Sequence, residues 1–129
     1  MTVAAVRSGL VAKLRTVDSV SGRSFGYMPD SLQPPTAFVG VATYNPRASF
    51  DEADITVAVW VAVSGAASAQ RGVEALDPYI DGAESVVDAL EATGTAWDSL
   101  SVTSVEYPVT ITVGAGEYLA ARFECEVML

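Results

Sequence analysis

The side chains in this sequence that could do chemistry are carboxylates. Asp51-Glu52-x-Asp54 could offer oxygen ligands to a divalent cation. Glu74, Asp77, Asp81, Glu84, Asp88 and Glu91 recur at a 3,4,3,4,3 spacing that could set paired acid and base groups along a helix. Neither pattern is specific. The first lacks the spacing and the glycine of a calcium loop and reads as a solvated turn. The second is evenly spaced on one helical face and reads as solvent-facing, or as facing basic groups of a partner. There is no histidine, which removes Ser/His and Cys/His nucleophilic sets, most zinc sites and the commonest general base. Cys125 is the single cysteine, so no intrachain disulfide can form. It lies on the apolar side of a strand, where a buried inert thiol is expected. A phosphate-binding Gly-Lys-Ser loop and a dinucleotide glycine fingerprint are both missing, since Gly114-x-Gly116 leads into no helix. The residues therefore point away from catalysis and away from a bound cofactor or metal.

The elements that carry these groups follow from periodicity. The stretch from Glu117 to Leu129 alternates throughout: Leu119, Ala121, Phe123, Cys125, Val127 and Leu129 point one way, and Tyr118, Arg122, Glu124 and Glu126 the other. A strand over Asp54–Ser64 is apolar on both faces, Ile55/Val57/Val59/Val61/Val63 and Thr56/Ala58/Trp60/Ala62, as in a central strand covered on both sides. One cover would be a helical layer and the other could be a second subunit. Thr36–Thr43 predicts a shorter strand. Between them, Tyr44–Ala53 predicts a loop with two aromatics and an arginine. Tyr44, Arg47 and Phe50 are of the types enriched at interface hot spots. Leu100–Glu106 and Val109–Val113 predict a strand broken or bulged at Pro108, and Gly114-Ala115-Gly116 a hairpin turn.

Thr2 can cap a first helix with the apolar stripe Val3, Val6, Leu10, Leu14 and Val17. Arg7 and Lys13 flank that stripe, so their stems can cover apolar surface while their charges reach a partner. Residues 23–35, with three prolines, read as irregular. From Gly65 to about Thr93 a helical segment buries Val73, Leu76, Ile80, Ala83, Val87 and Leu90 beside the six carboxylates. Pro78 and Gly82 predict a kink or two helices, with Asp77 or Asp81 capping the second. The result is a single α+β domain over residues 1–129: a mostly antiparallel sheet of about four main strands, with an N-terminal helix and a central helical segment on one face.

Half of the 129 residues are hydrophobic, so a core can form without metals or disulfides. The longest apolar run, Ile55 to Val63, falls far short of the ~20 residues of a membrane span. Arg7, Lys13 and Arg15 interrupt any leader-like apolar stretch. These features predict a soluble protein not exported by a signal peptide. Charge is segregated. Residues 1–23 carry four basic side chains against Asp18, a balance of +3; residues 24–129 carry three against fifteen acids, −12, within a net charge of −9. So acidic a surface disfavours DNA packaging or sequence reading.

The order of elements and the local phrasing together resemble the tail terminator (tail completion, head–tail joining) proteins of long-tailed bacteriophages. The likeness lies in Thr2-Val3-Ala4-Ala5-Val6-Arg7-Ser8-Gly9-Leu10 and in the crossing Tyr27-Met28-Pro29-Asp30…Pro34-Pro35-Thr36-Ala37. It continues in Thr56-Val57-Ala58-Val59-Trp60-Val61-Ala62-Val63-Ser64, in Ser85–Leu90 and in Gly116-Glu117-Tyr118-Leu119-Ala120-Ala121. The resemblance implies a virion structural protein that forms a ring, usually a hexamer. Such a ring caps the tail tube, ends its polymerisation and joins tail to head. It further implies as partners the protein itself, the major tail tube protein, the head-completion or connector proteins, and genome DNA sliding through the lumen without specific binding. Under that reading Tyr44, Arg47, Phe50, Arg7 and Lys13 are candidate interface residues, and Glu74, Asp77, Asp81, Glu84, Asp88 and Glu91 a candidate lumen or partner face. A head-closure, neck or minor tail component of similar fold, a carboxylate-based enzyme and a generic intracellular binding domain remain alternatives.

Overall fold

The computed structural model describes residues 3–46, 53–64, 69–92, 97, 99–114 and 116–128, without the side chains at 41, 46, 53 and 69. It is an α+β fold: a five-stranded, mostly antiparallel sheet with helices on one face. The strands are β1 (Ser24–Phe25), β2 (Thr36–Pro46), β3 (Ala53–Ser64), β4 (Ser99–Val113) and β5 (Gly116–Met128), arranged β1-β2-β3-β5-β4. Only the β1–β2 pairing is parallel. The helices are α1 (Val3–Leu14), α2 (Ala69–Asp81) and α3 (Val86–Glu91), with a 3₁₀ turn at Asp18–Val20.

Alternation places the core. Ile55, Val57, Val59, Val61 and Val63 of β3 face the helices together with Ala121, Phe123, Cys125 and Val127 of β5. There they meet Val6, Leu10 and Leu14 of α1, Leu76 and Tyr79 of α2, and Val86 and Leu90 of α3, all buried. β3 pairs along its length with β5 and also with β2, so the doubly apolar strand is central, as its sequence predicts. The terminal strand is interior too. On the opposite face a smaller cluster of Leu32, Phe38, Ala62, Val113 and Ala120 lies at one end of the sheet. The Pro-rich crossing supplies Leu32 to it.

The structure corrects four sequence expectations. Tyr44, Asn45 and Ala53 are strand residues: Tyr44 pairs with Ile55 and Asn45 with Asp54, so the predicted ten-residue loop is shorter, and its remaining residues, Arg47 and Phe50 among them, lie outside the described ones. Residues 24–25, within a stretch read as irregular, form β1. The central helical segment is two helices, but neither Asp77 nor Asp81 caps the second. Ser85 does, its hydroxyl accepting from the Asp88 N–H at 3.2 Å while donating to the Ile80 carbonyl at 3.0 Å. The break falls at Gly82 rather than at Pro78, which sits inside α2. It resets the helical phase, so Tyr79 and Val86 are buried and Ala83 is exposed. Thr2, the predicted helix cap, lies outside the described residues.

Pro108 acts as expected. The β4–β5 register shifts between Glu106 and Val109, so Glu106 and then Val109, Ile111 and Val113 share the face away from the helices. Gly114 turns the chain into β5 with φ +60°, a conformation that glycine takes without a Cβ penalty.

Candidate functional site

The helices cover one face of the sheet and leave the other open except at the Leu32 cluster. From that cluster onto the open face run three side chains in register. Phe38 of β2 stands opposite Trp60 of β3, and Trp60 opposite Arg122 of β5. The two rings stack with centroids 6.2 Å apart at 13°, and the Arg122 guanidinium lies 6.0 Å from the Trp60 ring. Arg122 Nη2 is 3.3 Å from both Glu106 and Glu124. These pairs are partly exposed and hold the guanidinium in place more than they stabilise the fold. The Arg122 Nε is buried with no hydrogen-bond partner among the described residues. A cleft of about 310 Å³ runs beside Arg122, floored by Thr43, Thr56 and Ala58.

A second, larger groove of about 590 Å³ lies where β1 ends and β2 continues, with no outer neighbour among the described residues. Its walls are Tyr27, Met28, Phe38, Trp60 and Ile111, with Arg7 at the rim. Tyr27 and Met28 are large and apolar, yet 67% and 54% exposed. Gly40 makes the groove possible. A Cβ there would sit 2.5 Å from Trp60 Nε1 and 2.9 Å from its Cδ1, so the indole lies across the strand only over a bare backbone. Gly40→Ala is expected to push the Trp60 ring out of its stack, with a changed tryptophan emission and a stability loss of about 1–3 kcal/mol. Unchanged emission and melting temperature would contradict this placement.

The candidate interface residues are partly brought together. Arg7 is exposed, its stem against Gly26, and among the described residues it has no ion-pair partner. Tyr44, 52% exposed, stands on β2 at the same edge of the sheet. Lys13 lies nearly two turns further along α1 and is half-buried.

Five of the six carboxylates are exposed and Glu84 is half-buried, and four of them accept hydrogen bonds within the chain. Asp77 accepts from the Tyr107 hydroxyl of β4 at 3.0 Å, and Glu91 from the Val102 N–H of β4 at 3.1 Å. Glu84 accepts from the Ser19 N–H at 3.2 Å and from its hydroxyl. Glu74 accepts from Gln70 one turn earlier. The hydrogen bond to Asp77 raises the Tyr107 phenol above its usual pKa, with desolvation and the charges of Asp77 and Asp81 adding to it. Burial raises that of Tyr79, opposed by its bond to Ser19 and reinforced by Glu84. Three of the stripe's acids thus tie α2 and α3 to β4 and to the turn after α1. The side chains of Asp81 and Asp88 are exposed.

Of the possible cation loop, Asp51 and Glu52 lie outside the described residues, and Asp54 is half-buried in β3. Among the described residues no group of three or more acidic, histidine or cysteine side chains is placed to hold a metal ion. Nor is any helix among them long and apolar enough to cross a membrane. The Phe38–Trp60–Arg122 row and Gly40 went unnoticed in the sequence. Their signal was a tryptophan and an arginine on the non-core sides of two alternating strands, which becomes a site only once the register is known.

No protein-family model matches the chain, and no curated protein sequence matches it.

Proposed function

We propose that the chain is a structural virion protein: a ring subunit that caps the tail tube of a long-tailed bacteriophage, ends its polymerisation and joins it to the head. The observation that carries this reading is the one-sided cover of the sheet. Two interior strands with a sealed helical face present an open second face bearing Trp60 and Arg122, bounded by two sheet edges. Such a surface suits contact with neighbouring subunits, since aromatic and arginine side chains dominate protein–protein contacts. The fold, helices on one face of a mostly antiparallel sheet, is the one that the resemblance to tail terminators implies. Under this reading the net acidity keeps the DNA in the lumen from adhering.

The test is polymerisation of tail tube protein with and without this chain, followed by electron microscopy. Tubes that stop growing and carry a ring of density at one end are the expected result. Tubes that elongate equally in both samples, with bare ends, would overturn the proposal. Binding to head connectors but not to tubes would move the chain to the neck.

A further inference from the structure

The two edges of the sheet carry opposite charge. At one edge, β2 is paired by β1 only at Ala37 and Phe38, so among the described residues no strand covers its outer side from Val39 onward. α1 packs over this edge and against α3, with Arg7 exposed on the helix and Arg15 exposed just past its end. At the other edge, β4 has β5 on one side and, among the described residues, no strand on the other. α2 and α3 pack on β4, with Asp81 and Asp88 exposed. The exposed Arg7 of α1 and the exposed Asp81 of α2 thus lie over different ends of the sheet, with α3 packed between α1 and β4.

Strand direction adds a geometric condition. β2 is antiparallel to β3, β3 to β5, and β5 to β4, so β4 runs opposite to β2. Two copies placed side by side in the same orientation therefore set β4 of one antiparallel to β2 of the next. The same placement puts both helical layers on the same side, with α1 of one copy beside α2 and α3 of its neighbour. Cations then face carboxylates.

From this geometry we infer that the β2/α1 edge of one copy docks on the β4/α2–α3 edge of a second copy, head to tail, with Arg7 and Arg15 facing Asp81 and Asp88. The contact is heterologous, so it propagates into a ring when the rotation closes. Its ladder is partial. Glu91 occupies the Val102 N–H, and Pro108 has none to give. These interruptions keep β4 from pairing indiscriminately and leave partner choice to charge. The inference rests on the ring reading above and names the contact that would build it.

Charge reversal tests it with a signature that other contacts do not share. Arg7→Glu/Arg15→Glu sets acids against Asp81 and Asp88; Asp81→Lys/Asp88→Lys sets lysines against Arg7 and Arg15. Sedimentation of each variant alone is expected to show self-association weakened by roughly tenfold or more relative to wild type. An equimolar mixture is expected to regain it, because each reversed side chain then meets one of opposite sign. Wild-type association should also weaken as salt rises. Circular dichroism checks that the variants fold, and Arg15→Glu alone, at an exposed position, serves if the doubles do not. Three results would each overturn the contact: variants that associate like wild type, a mixture no stronger than its parts, or wild-type association absent at low salt or indifferent to it. Charge-reversed variants that still associate and cap tubes would remove this contact and spare the function. Wild-type chain that associates but leaves tubes uncapped would do the reverse.

Discussion

Replacing Phe123 by alanine is expected to cost about 3–5 kcal/mol and to lower the melting temperature by roughly 10–20 °C. Phe123 is fully buried on β5, in register with Val59 of β3 on one side and Val105 of β4 on the other. Among the described residues it is one of the two largest fully buried side chains, and it faces the helical layer at the middle of the sheet. Both neighbouring strands are fixed by long ladders, so the backbone has little freedom to close the cavity. Total stabilities of domains this size are about 5–15 kcal/mol, so the variant should be partly unfolded near 37 °C. The other buried phenylalanine, Phe38, stacks on Trp60 beside an open groove, where neighbours can relax or water can enter. Phe38→Ala should therefore cost less. Urea denaturation of both variants decides the matter: an equal or reversed order would mean that the main core is not on the helical face.

Much of the fold was readable because burial leaves a period. The alternation from Glu117 to Val127 is the observed β5, and the doubly apolar run over 55–63 is the observed centre of the sheet. The stripe Val6, Leu10 and Leu14 is the buried face of α1. Where periodicity was overruled, a local backbone effect did it. Ala83 fits the helical spacing, yet Gly82 breaks the helix and Ser85 starts the next, so Val86 takes the buried place. Tyr44 and Asn45 are polar enough to read as loop, but ladder bonds to Ile55 and Asp54 extend the hairpin through them. β1 is two residues long and held by a parallel neighbour from elsewhere in the chain; no local pattern can announce such a strand.

The candidate surface was less readable, for a different reason. Single residues carried their signal: Arg7 beside an apolar stripe, Tyr44 in a hairpin, six acids at helical spacing. Their grouping depended on which strands are neighbours. Arg122 meets Trp60 only because residue 122 stands opposite residue 60 in the β3–β5 ladder, a pairing between segments 62 residues apart. The acids that looked alike in sequence separate once β4 is placed, because Tyr107 and Val102 take up Asp77 and Glu91.

Cys125 gives the second large effect, and it depends on pH. The thiol is fully buried on the core side of β5, opposite Val57 and Val102. Burial pushes its pKa from 9.0 up to about 12, with the charges of Glu124 and Glu91 adding to the rise. In the unfolded chain the thiol ionises from about pH 9; in the folded chain it stays protonated. The stabilisation linked to this proton is therefore complete below pH 9 and is lost as pH climbs toward 12. Between those limits stability should fall by about 1.4 kcal/mol per pH unit on account of this group. Tyr79 and Tyr107, also raised, act in the same direction at higher pH. The difference between wild type and Cys125→Ala isolates the cysteine, since any cavity left by the substitution costs the same at every pH. Denaturation midpoints from pH 7.5 to 10.5 should show the wild type losing its advantage by about 2 kcal/mol across the upper half of that range. Parallel curves would show that the thiol is reachable by water in the folded state. Reaction with a thiol reagent at pH 8 gives an independent reading: no modification without denaturant, and full modification of the single cysteine with it.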